Sequence, residues 1–220
     1  LSSRLRHRNP DVWLSSTNVG SLGGLTALSR GEAHLAGCHL LDEETGEYNL
    51  AFVRRYLKGH PTVLVNLVIR LQGLIVARDN PRGIDSLADL ARDGVTFINR
   101  QRGSGTRMLL DYRLKEAGIS PEGIRGYQRE DYTHLSVAAA VASGRADVGL
   151  GILSAARAMK LDFVPLLQEQ YDLVIPRDVY ESDRLQPLLC LIRDEDFHRE
   201  VQALGGYDTA AMGQVAAELD

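Results

Sequence analysis

Residues 99–107 read "NRQRGSGTR", and they stand between the apolar run "VTFI" and the amphipathic run "MLLDYRLKEAG". An apolar strand that enters a glycine-rich turn and continues as a helix is a recurring unit of α/β folds. The turn also leaves unpaired backbone amides at the start of the helix, where they attract negative charge. This stretch therefore predicts both a fold class and an anion-binding site.

Short apolar strands alternate with amphipathic helices along nearly the whole chain, which predicts an α/β fold with mostly parallel sheets. The predicted strands are 12–15, 33–38, 63–69, 73–77, 95–99, 146–150, 162–166, 172–175 and 188–192. The predicted helices are 22–29, 50–58, 87–92, 106–117, 134–143 and 196–203.

Two polar joints divide this pattern, at Arg78–Gly83 and near Gln168–Gln170. They predict one lobe formed by residues 1–78 and 170–220, and a second lobe formed by residues 79–169. A ligand would then bind in the cleft between the lobes, and a hinge movement would enclose it.

Composition limits the partners that this chain can attract. The 220 residues carry 25 Lys and Arg against 29 Asp and Glu, a net charge of −4, so the chain as a whole does not attract nucleic acid or acidic membranes. No apolar run is long enough to cross a bilayer. Because the chain starts at Leu1, inside the helix-like run "LSSRLRHR", we expect a soluble fragment that lacks an N-terminal strand of its first lobe.

The turn at Gly103–Thr106 carries donors for an anion in three forms. Its glycines let the backbone approach a ligand, the hydroxyls of Ser104 and Thr106 lie beside the unpaired amides, and Arg102 and Arg107 add charge. The spacing matches neither a Walker A loop nor a dinucleotide fingerprint, which disfavours nucleoside triphosphates. The alternative is a capped helix with solvated arginines.

A second turn, "STNVGSLGGL" at residues 16–25, offers a similar set of candidate ligand-binding residues, namely Asn18, Gly20 and Ser21. Ser21 is predicted to cap the helix that follows. If the two turns face one cleft from opposite lobes, their donors can enclose a small tetrahedral oxyanion. The alternative is again a plain helix cap with a glycine packing contact.

The segment "GYQREDYTH" precedes an alanine-rich helix for which Thr133 is the predicted N-cap. Tyr132 or His134 is a candidate to point towards the cleft. Glu130, Asp131 and His134 also allow an acid–base group to be considered, although capping and surface roles explain them with fewer assumptions.

The spacing of the cysteines and histidines does not predict a metal-binding site. Cys38 and Cys190 lie in apolar runs and are predicted to be buried, reduced thiols. His34, Cys38 and His39 share one segment, but successive strand residues point to opposite faces, so Cys38 and His39 cannot both face one ion without a bend. We expect neither a metal nor a cofactor.

Seven segments together resemble the PBP-like domains, relatives of type II periplasmic substrate-binding proteins such as the molybdate-binding one. They are 18–28 "NVGSLGGLTAL", 31–49 "GEAHLAGCHLLDEETGEYN", 70–81 "RLQGLIVARDNP", 99–107 "NRQRGSGTR", 126–134 "GYQREDYTH", 141–151 "VASGRADVGLG" and 163–176 "FVPLLQEQYDLVIP". The resemblance implies two α/β lobes joined by two crossovers, with a ligand cleft between them.

The resemblance also implies a ligand and a setting. Similar proteins are cytoplasmic and are joined to a helix-turn-helix domain or to a molybdopterin biosynthesis protein, so it suggests molybdate or tungstate as the ligand. The residues that match the ligand-holding positions are Gly20, Ser21, Ser104, Gly105, Thr106 and Tyr171. The "GSHD"-like turn with which family members open is not present after Leu1.

Three functions follow. The leading hypothesis is a non-catalytic domain that senses or delivers a small oxyanion, with no direct contact to nucleic acid or membrane. The alternative is an enzyme for a phosphorylated or carboxylated metabolite, in which Arg102 and Arg107 clamp the anion and His134 or Glu130 moves protons. The third is an interaction module whose cleft binds nothing.

Overall fold

A computed structural model describes all 220 residues. The helices are α1 (Ser2–Arg8), α2 (Gly20–Ser29), α3 (Leu50–Tyr56), α4 (Gly105–Glu116), α5 (His134–Ala142), α6 (Leu153–Ala158), α7 (Arg177–Tyr180), α8 (Gln186–Ile192) and α9 (Glu195–Ala203). The strands are β1 (Ala36–Cys38), β2 (Thr62–Val76), β3 (Phe97–Arg100), β4 (Glu130–Asp131), β5 (Val148–Ile152), β6 (Asp162–Pro176), β7 (Tyr207–Asp208) and β8 (Val215–Leu219). Two 3₁₀ turns add Leu87–Ala91 and Pro121–Gly123.

The strands form one sheet in the order β1-β6-β2-β5-β3-β4, and β7 and β8 pair with β2. At its centre, the 15-residue strands β2 and β6 run antiparallel to each other from end to end. Both strands pass through the whole molecule, so they are the crossovers that join its two lobes.

In the first lobe, the early half of β2 separates two apolar layers. Val63 and Val65 pack on one face against α8 and α9, whereas Leu64 packs on the other face against α2 and α3. This alternation is what a strand with successive side chains on opposite faces produces. The sheet is therefore covered by helices on both sides.

The second lobe repeats the arrangement with the late half of β2. Leu74 and Val76 join Phe97 in a layer that includes α4, and Ile75 faces the opposite layer built mostly from α5 and α6. Val68 belongs to the core of the first lobe and Leu74 to the core of the second, so β2 passes from one core to the other between these residues. The sequence predicts two strands here, 63–69 and 73–77, but the structure has one continuous strand. The predicted joint at 78–83 lies just beyond the end of β2.

The two-lobed α/β class is confirmed, but the prediction of mostly parallel sheets is wrong. Only β3–β4 and β3–β5 are parallel, while β1–β6, β2–β5, β2–β6, β2–β7 and β2–β8 are antiparallel. The reason is that the two crossovers travel in opposite directions between the lobes. Strand–helix–strand units with parallel pairing occur only inside the second lobe.

Two predicted strands are also wrong. Residues 186–192, "QPLLCLI", form α8, because Pro187 in its first turn is compatible with a helix start and a short apolar run does not distinguish strand from helix. Residues 12–15 lie in an extended loop without sheet partners. The predicted helix 87–92 is the short 3₁₀ turn Leu87–Ala91, and the other predicted segments are helices or strands of the expected type.

The two cysteines are free, as expected, but they differ in exposure: Cys38 is buried, whereas Cys190 on α8 faces solvent. Burial raises the pKa of the Cys38 thiol to about 12. None of the helices combines the length and the apolarity that crossing a bilayer requires.

Candidate functional site

The first turn of α4 is a buried helix start at the place where the sequence predicts an anion site. β3 delivers the chain to a turn in which Ser104, Gly105 and Thr106 are all buried. Ser104 is the N-cap, and its hydroxyl oxygen accepts a hydrogen bond from the Arg107 amide at 3.2 Å. The first amides of the helix have no intrahelical partner, and they carry the positive end of the helix dipole.

The turn that opens α2 touches the turn that opens α4. Gly20 has a φ of 76°, and a Cβ placed on it would lie 2.9 Å from the carbonyl oxygen of Gly103. The two glycine-rich turns, which come from different lobes, are therefore in direct contact. Ser21 is buried but is not the cap, because α2 begins one residue earlier, at Gly20. Its hydroxyl accepts instead from the His39 amide at 3.3 Å.

His39 connects the two helix starts to the crossovers. A Cβ at Gly105 would lie 2.5 Å from both the Nδ1 and the carbonyl oxygen of His39, so only glycine fits at the beginning of α4. The imidazole Nδ1 lies 3.1 Å from Oε2 of Glu169 and the ring stacks on Tyr171 with centroids 5.2 Å apart.

The two crossover strands β2 and β6 have charged side chains at their centre, in contrast to their apolar ends. Arg70 on β2 stands directly opposite Glu169 on β6, and its Nε donates to Oε1 of that carboxylate. The Arg70 guanidinium also lies over the Tyr171 ring at 4.5 Å. Gln72, two residues further on the same face, donates to Oε2 of Glu169 and to the Thr106 hydroxyl oxygen at 3.2 Å.

Glu169 is ionised in this setting. Burial raises its pKa, but the nearby Arg70 charge, His39 and the hydrogen bonds that they donate outweigh burial and hold the pKa at about 2. The carboxylate is 1% exposed. It therefore balances one buried positive charge.

A second buried guanidinium enters from the end of β3. Arg100 donates from Nε to the side-chain oxygen of Gln101 at 3.1 Å and from Nη2 to the carbonyl oxygen of Tyr132 at 3.1 Å. Burial and repulsion from Arg70 lower its pKa to about 10, so it keeps its proton at neutral pH. Arg70, Arg100 and Glu169 together carry one net positive charge, and the Asp131 carboxylate also attracts Arg100, which raises the pKa of Arg100.

The cluster also holds two imidazoles. Burial is the largest cause that lowers the pKa of His39, and the attraction of Glu169 opposes it. For His134, burial and the charges of Arg70 and Arg100 act together and lower the pKa well below 6.5. Both rings are therefore neutral at pH 7.

Several buried polar atoms of this cluster have no partner within the chain. The donors are Nη2 of Arg70 and Nε2 of Gln101; Nδ1 of His134 and the acceptor Oε1 of Gln72 are also unpaired. Buried polar groups are nearly always hydrogen-bonded, since an unpaired one costs about 1–3 kcal/mol. Unpaired atoms on three segments, namely β2, the turn after β3 and the start of α5, are what a polar ligand site requires.

The structure brings most of the predicted residues to this place. Gly20, Ser21, Ser104, Gly105, Thr106 and Tyr171 lie at the two helix starts or on the crossover beside them. Asn18 is in the exposed loop before α2. Arg102 is exposed, with its Nη2 donating to Gln128 at 3.0 Å and its Nε 3.6 Å from Glu130.

Arg107 is buried but already fully engaged. Its Nε donates to Asp111 at 3.0 Å, its Nη1 lies 3.6 Å from Glu130, and its guanidinium covers the Tyr127 ring at 4.1 Å. This arrangement holds α4 against the segment that leads to β4. Neither Arg102 nor Arg107 is placed to clamp an anion in the cluster.

Four residues of the site were not among the predicted ones: the charged Arg70, Arg100 and Glu169, and the amide of Gln72. A signal for two of them was present: Arg70 and Gln72 are spaced by two within the apolar run "VLVNLVIRLQGLIV", which puts both on one face of a buried strand. Glu169 carries no comparable signal. It is 99 residues from its partner Arg70.

A groove of about 270 Å³ lies near the cluster, between the loop after β1 and α4. Its lining includes Phe52 and Met108, together with the carboxylates of Asp42, Glu43 and Glu44. Three acidic side chains repel an anion, so the groove is not the site that the turns predict. No group of three His, Cys, Asp or Glu side chains is arranged to hold a metal ion.

The sequence model of the PBP superfamily domain matches residues 2–193. The chain belongs to the PBP superfamily. It is 38% identical over 199 residues to the Bacillus subtilis (strain 168) protein YvgK, itself uncharacterized, and covers 64% of that protein's length. It is also 38% identical over 113 residues to the complete uncharacterized protein of the ferredoxin 2Fe-2S gene 5′ region of Clostridium pasteurianum, a match that covers 51% of this chain.

Solved structures share this superfamily fold. A Clostridium perfringens protein assigned as a phosphate ABC transporter substrate-binding protein, solved with bound phosphate, superposes with a TM-score of 0.67 over 92% of this chain and 90% of its own, at 13% identity. The CcmR regulatory domain of Synechocystis PCC6803, solved with 2-PG, gives a TM-score of 0.62 over 86% and 85%, also at 13% identity. At these identities the likeness shows the fold alone.

Proposed function

We propose that this superfamily domain binds a small oxyanion between its two lobes and performs no covalent chemistry on it. The observation that carries the proposal is the buried cluster with two guanidiniums against one carboxylate. Its unpaired donors, Nη2 of Arg70 and Nε2 of Gln101, lie near the helix starts. An oxyanion would balance the excess charge and accept from these donors.

The helix starts add selectivity by size. Two close contacts, Gly20 with Gly103 and Gly105 with His39, hold the turn at Ser104–Thr106 and its backbone amides in place. Fixed donors reject an anion of the wrong size because some of them would stay unpaired in a buried site. Phosphate in one structural neighbour and 2-PG in another support an anionic ligand as the class.

Molybdate and tungstate are the ligands that we propose first, on the strength of the sequence resemblance. Both are compact dianions at neutral pH, and neither needs a proton to be moved for binding. A cytoplasmic domain in a molybdenum-related regulator or a cofactor-biosynthesis protein is the setting that the same resemblance supports. The additional length of the relative YvgK leaves room for such a fused domain.

Titration calorimetry with molybdate, tungstate, phosphate and sulfate tests the proposal. We expect at least one anion to bind, and we expect Arg100→Gln to weaken its binding at least tenfold. Arg102→Gln is the matched control, since it removes the same charge from an exposed position two residues away, and it should change the affinity less than threefold. Absence of heat with all four anions would remove the proposal.

The enzyme hypothesis for a phosphorylated or carboxylated metabolite has weaker support. The two arginines that it assigned to the anion are exposed or paired elsewhere, and Glu130 is 3.6 Å from both of them instead of facing the cluster. His134 remains the one proposed proton carrier that reaches the buried charges. Turnover of a phosphorylated substrate that is lost in His134→Gln would favour this alternative.

A further inference from the structure

His134 is the first residue of α5 and sits where that helix meets the buried charges. Thr133 caps the helix by accepting from the Ser136 amide at 3.0 Å. The imidazole packs beside Gly151 of β5, where a Cβ would lie 3.4 Å from its Nδ1. That nitrogen is buried and has no hydrogen-bond partner.

The charges that face His134 come from three segments. β2 contributes Arg70, β3 contributes Arg100, and the residue after β1 is His39. β5 contributes no titratable group. Every one of these three neighbours is positive or neutral.

No hydrogen bond or ion pair joins His134 to the carboxylates near the start of α5. Asp131 of β4 has its Oδ2 at 3.7 Å from Arg145, and that buried oxygen accepts no hydrogen bond. Glu130 lies 3.6 Å from Arg102 and from Arg107. Glu169 is occupied by Arg70, Gln72 and His39. On α6, Arg157 is directed towards Gly205, at the far end of the helix. No acid therefore supplies His134 with a partner.

The charge balance of the cluster changes when a dianion enters. Arg70 and Arg100 against Glu169 leave at most one net positive charge, because the Asp131 carboxylate also attracts Arg100. An anion of charge −2 therefore lacks at least one positive charge. Burying an uncompensated charge is expensive, and a protein avoids that cost by moving a proton. Nη2 of Arg70 already carries its protons, so His134 is the side chain of the cluster whose unpaired nitrogen can take one up.

We propose that His134 contacts the anion and that its imidazole takes up one proton from solvent when a dianion binds. The inference rests on the proposed function, because it concerns the same site. The proton comes from water or buffer and goes to the imidazole, which then donates from Nδ1 to an oxygen of the ligand. The anion stays fully deprotonated, and no covalent bond changes.

Burial and the two guanidiniums explain why the proton is absent before the anion arrives, since both lower the pKa of His134 in the free domain. An adjacent dianion favours the charged imidazole and raises that pKa. Between the free and the bound pKa, affinity falls tenfold for each unit by which pH rises. Below the free pKa the imidazole is already charged, and affinity no longer depends on pH.

The test uses molybdate and sulfate, which do not titrate between pH 6 and 8.5. Calorimetry in two buffers of different ionisation enthalpy counts the protons taken up, and we expect between half and one proton per anion bound. We also expect affinity to fall up to tenfold per unit of rising pH. His134→Gln should abolish both the proton uptake and the pH dependence, whereas His60→Gln, at an exposed loop position, should leave both unchanged.

Imidazole NMR signals of the wild-type domain give a second readout that does not depend on how the variant folds. Adding molybdate should move the His134 ring from the neutral to the cationic shift range. Binding without proton uptake, or a cationic shift at His39 in place of His134, would overturn this inference and leave the proposed function standing. Failure of both anions to bind, with phosphate and tungstate also silent, would overturn the proposed function itself.

Discussion

The glycine-rich helix starts and the centres of the two crossovers contribute different things to one site. The turns at Gly20–Ser21 and Ser104–Thr106 supply hydroxyls and backbone amides, which carry no net charge. The crossovers supply Arg70 and Glu169, which are fully charged and buried. The turns would determine how well an anion fits, whereas the crossovers, together with Arg100, determine how much charge the site balances.

This difference shows why a chain with a net charge of −4 can contain an anion site. Local charge in a buried cluster is screened much less than surface charge, so the sign of the cluster matters more than that of the molecule. It also separates the expected effects of mutation. Changes in the crossovers should unbalance buried charge, and changes in the turns should disturb packing.

The largest expected effect is at the centre of the crossovers. Arg70→Met leaves Glu169 buried without its main partner, and removing one member of a buried ion pair typically costs about 3–5 kcal/mol. We expect a loss of that size in the free energy of unfolding, measured by urea denaturation.

The double variant Arg70→Met with Glu169→Gln is the control for the origin of that loss. It removes the unpaired charge as well, so it should recover a large part of the stability. Equal instability of the single and double variants would mean that packing of the arginine stem, and not charge, holds the crossovers together.

The second expected effect is acid lability of the free domain. Burial lowers the pKa of His39 and of His134 in the folded state below the unfolded value of about 6.5, so the unfolded chain binds more protons at acid pH. Stability should therefore fall as pH drops below about 6.5, by up to about 1.4 kcal/mol per pH unit for each histidine.

Urea midpoints at pH 7.5, 6.5 and 5.5 measure this slope, and His134→Gln should reduce it. Glu169 does not contribute to the change of stability between pH 7.5 and 5.5. Its pKa in the folded state is about 2, below the usual value, so the stability that its ionised form provides is lost only when the pH falls below about 4.5. A flat profile from pH 7.5 to 5.5 would contradict the burial of two neutral imidazoles.

A smaller effect is expected where the two turns touch. Gly20→Ala combines a positive φ with a Cβ that would lie 2.9 Å from Gly103, and we expect a loss of about 1–3 kcal/mol in unfolding free energy. Gly83→Ala is the matched control, since it has a φ of 55° and open space around the new Cβ. Similar losses in both variants would show that backbone strain alone, and not contact between lobes, limits the turn.

The smallest effect is expected at the cap of α4. Ser104→Ala removes the hydroxyl that accepts from the Arg107 amide, and loss of an N-cap costs about 1 kcal/mol. Ser120→Ala, at an exposed serine whose side chain caps no amide, should cost less than about 0.5 kcal/mol. Thermal unfolding of the two variants compares them directly, and equal melting temperatures would argue against the capping role.

Most secondary structure could be predicted because its causes are local. The run that became α4 carries its own cap in Ser104 and its own stop at Gly118, and Thr133 caps α5 in the same way. The predicted strand 188–192 is wrong because its apolar run is too short to show a period, and these residues lie in α8. Sheet direction was wrong because pairing between β2 and β6 joins segments about a hundred residues apart.

The sequence by itself determined the two-lobed α/β class and the beginnings of α2 and α4 to within two residues, because caps, glycine turns and strand periodicity act over a few residues. Only the tertiary structure decided that Arg70 faces Glu169 and that the charges of Arg70 and Arg100 lower the pKa of His134. Those neighbours come from separate strands and helices. Their charges and pKa values depend on burial that no local pattern encodes.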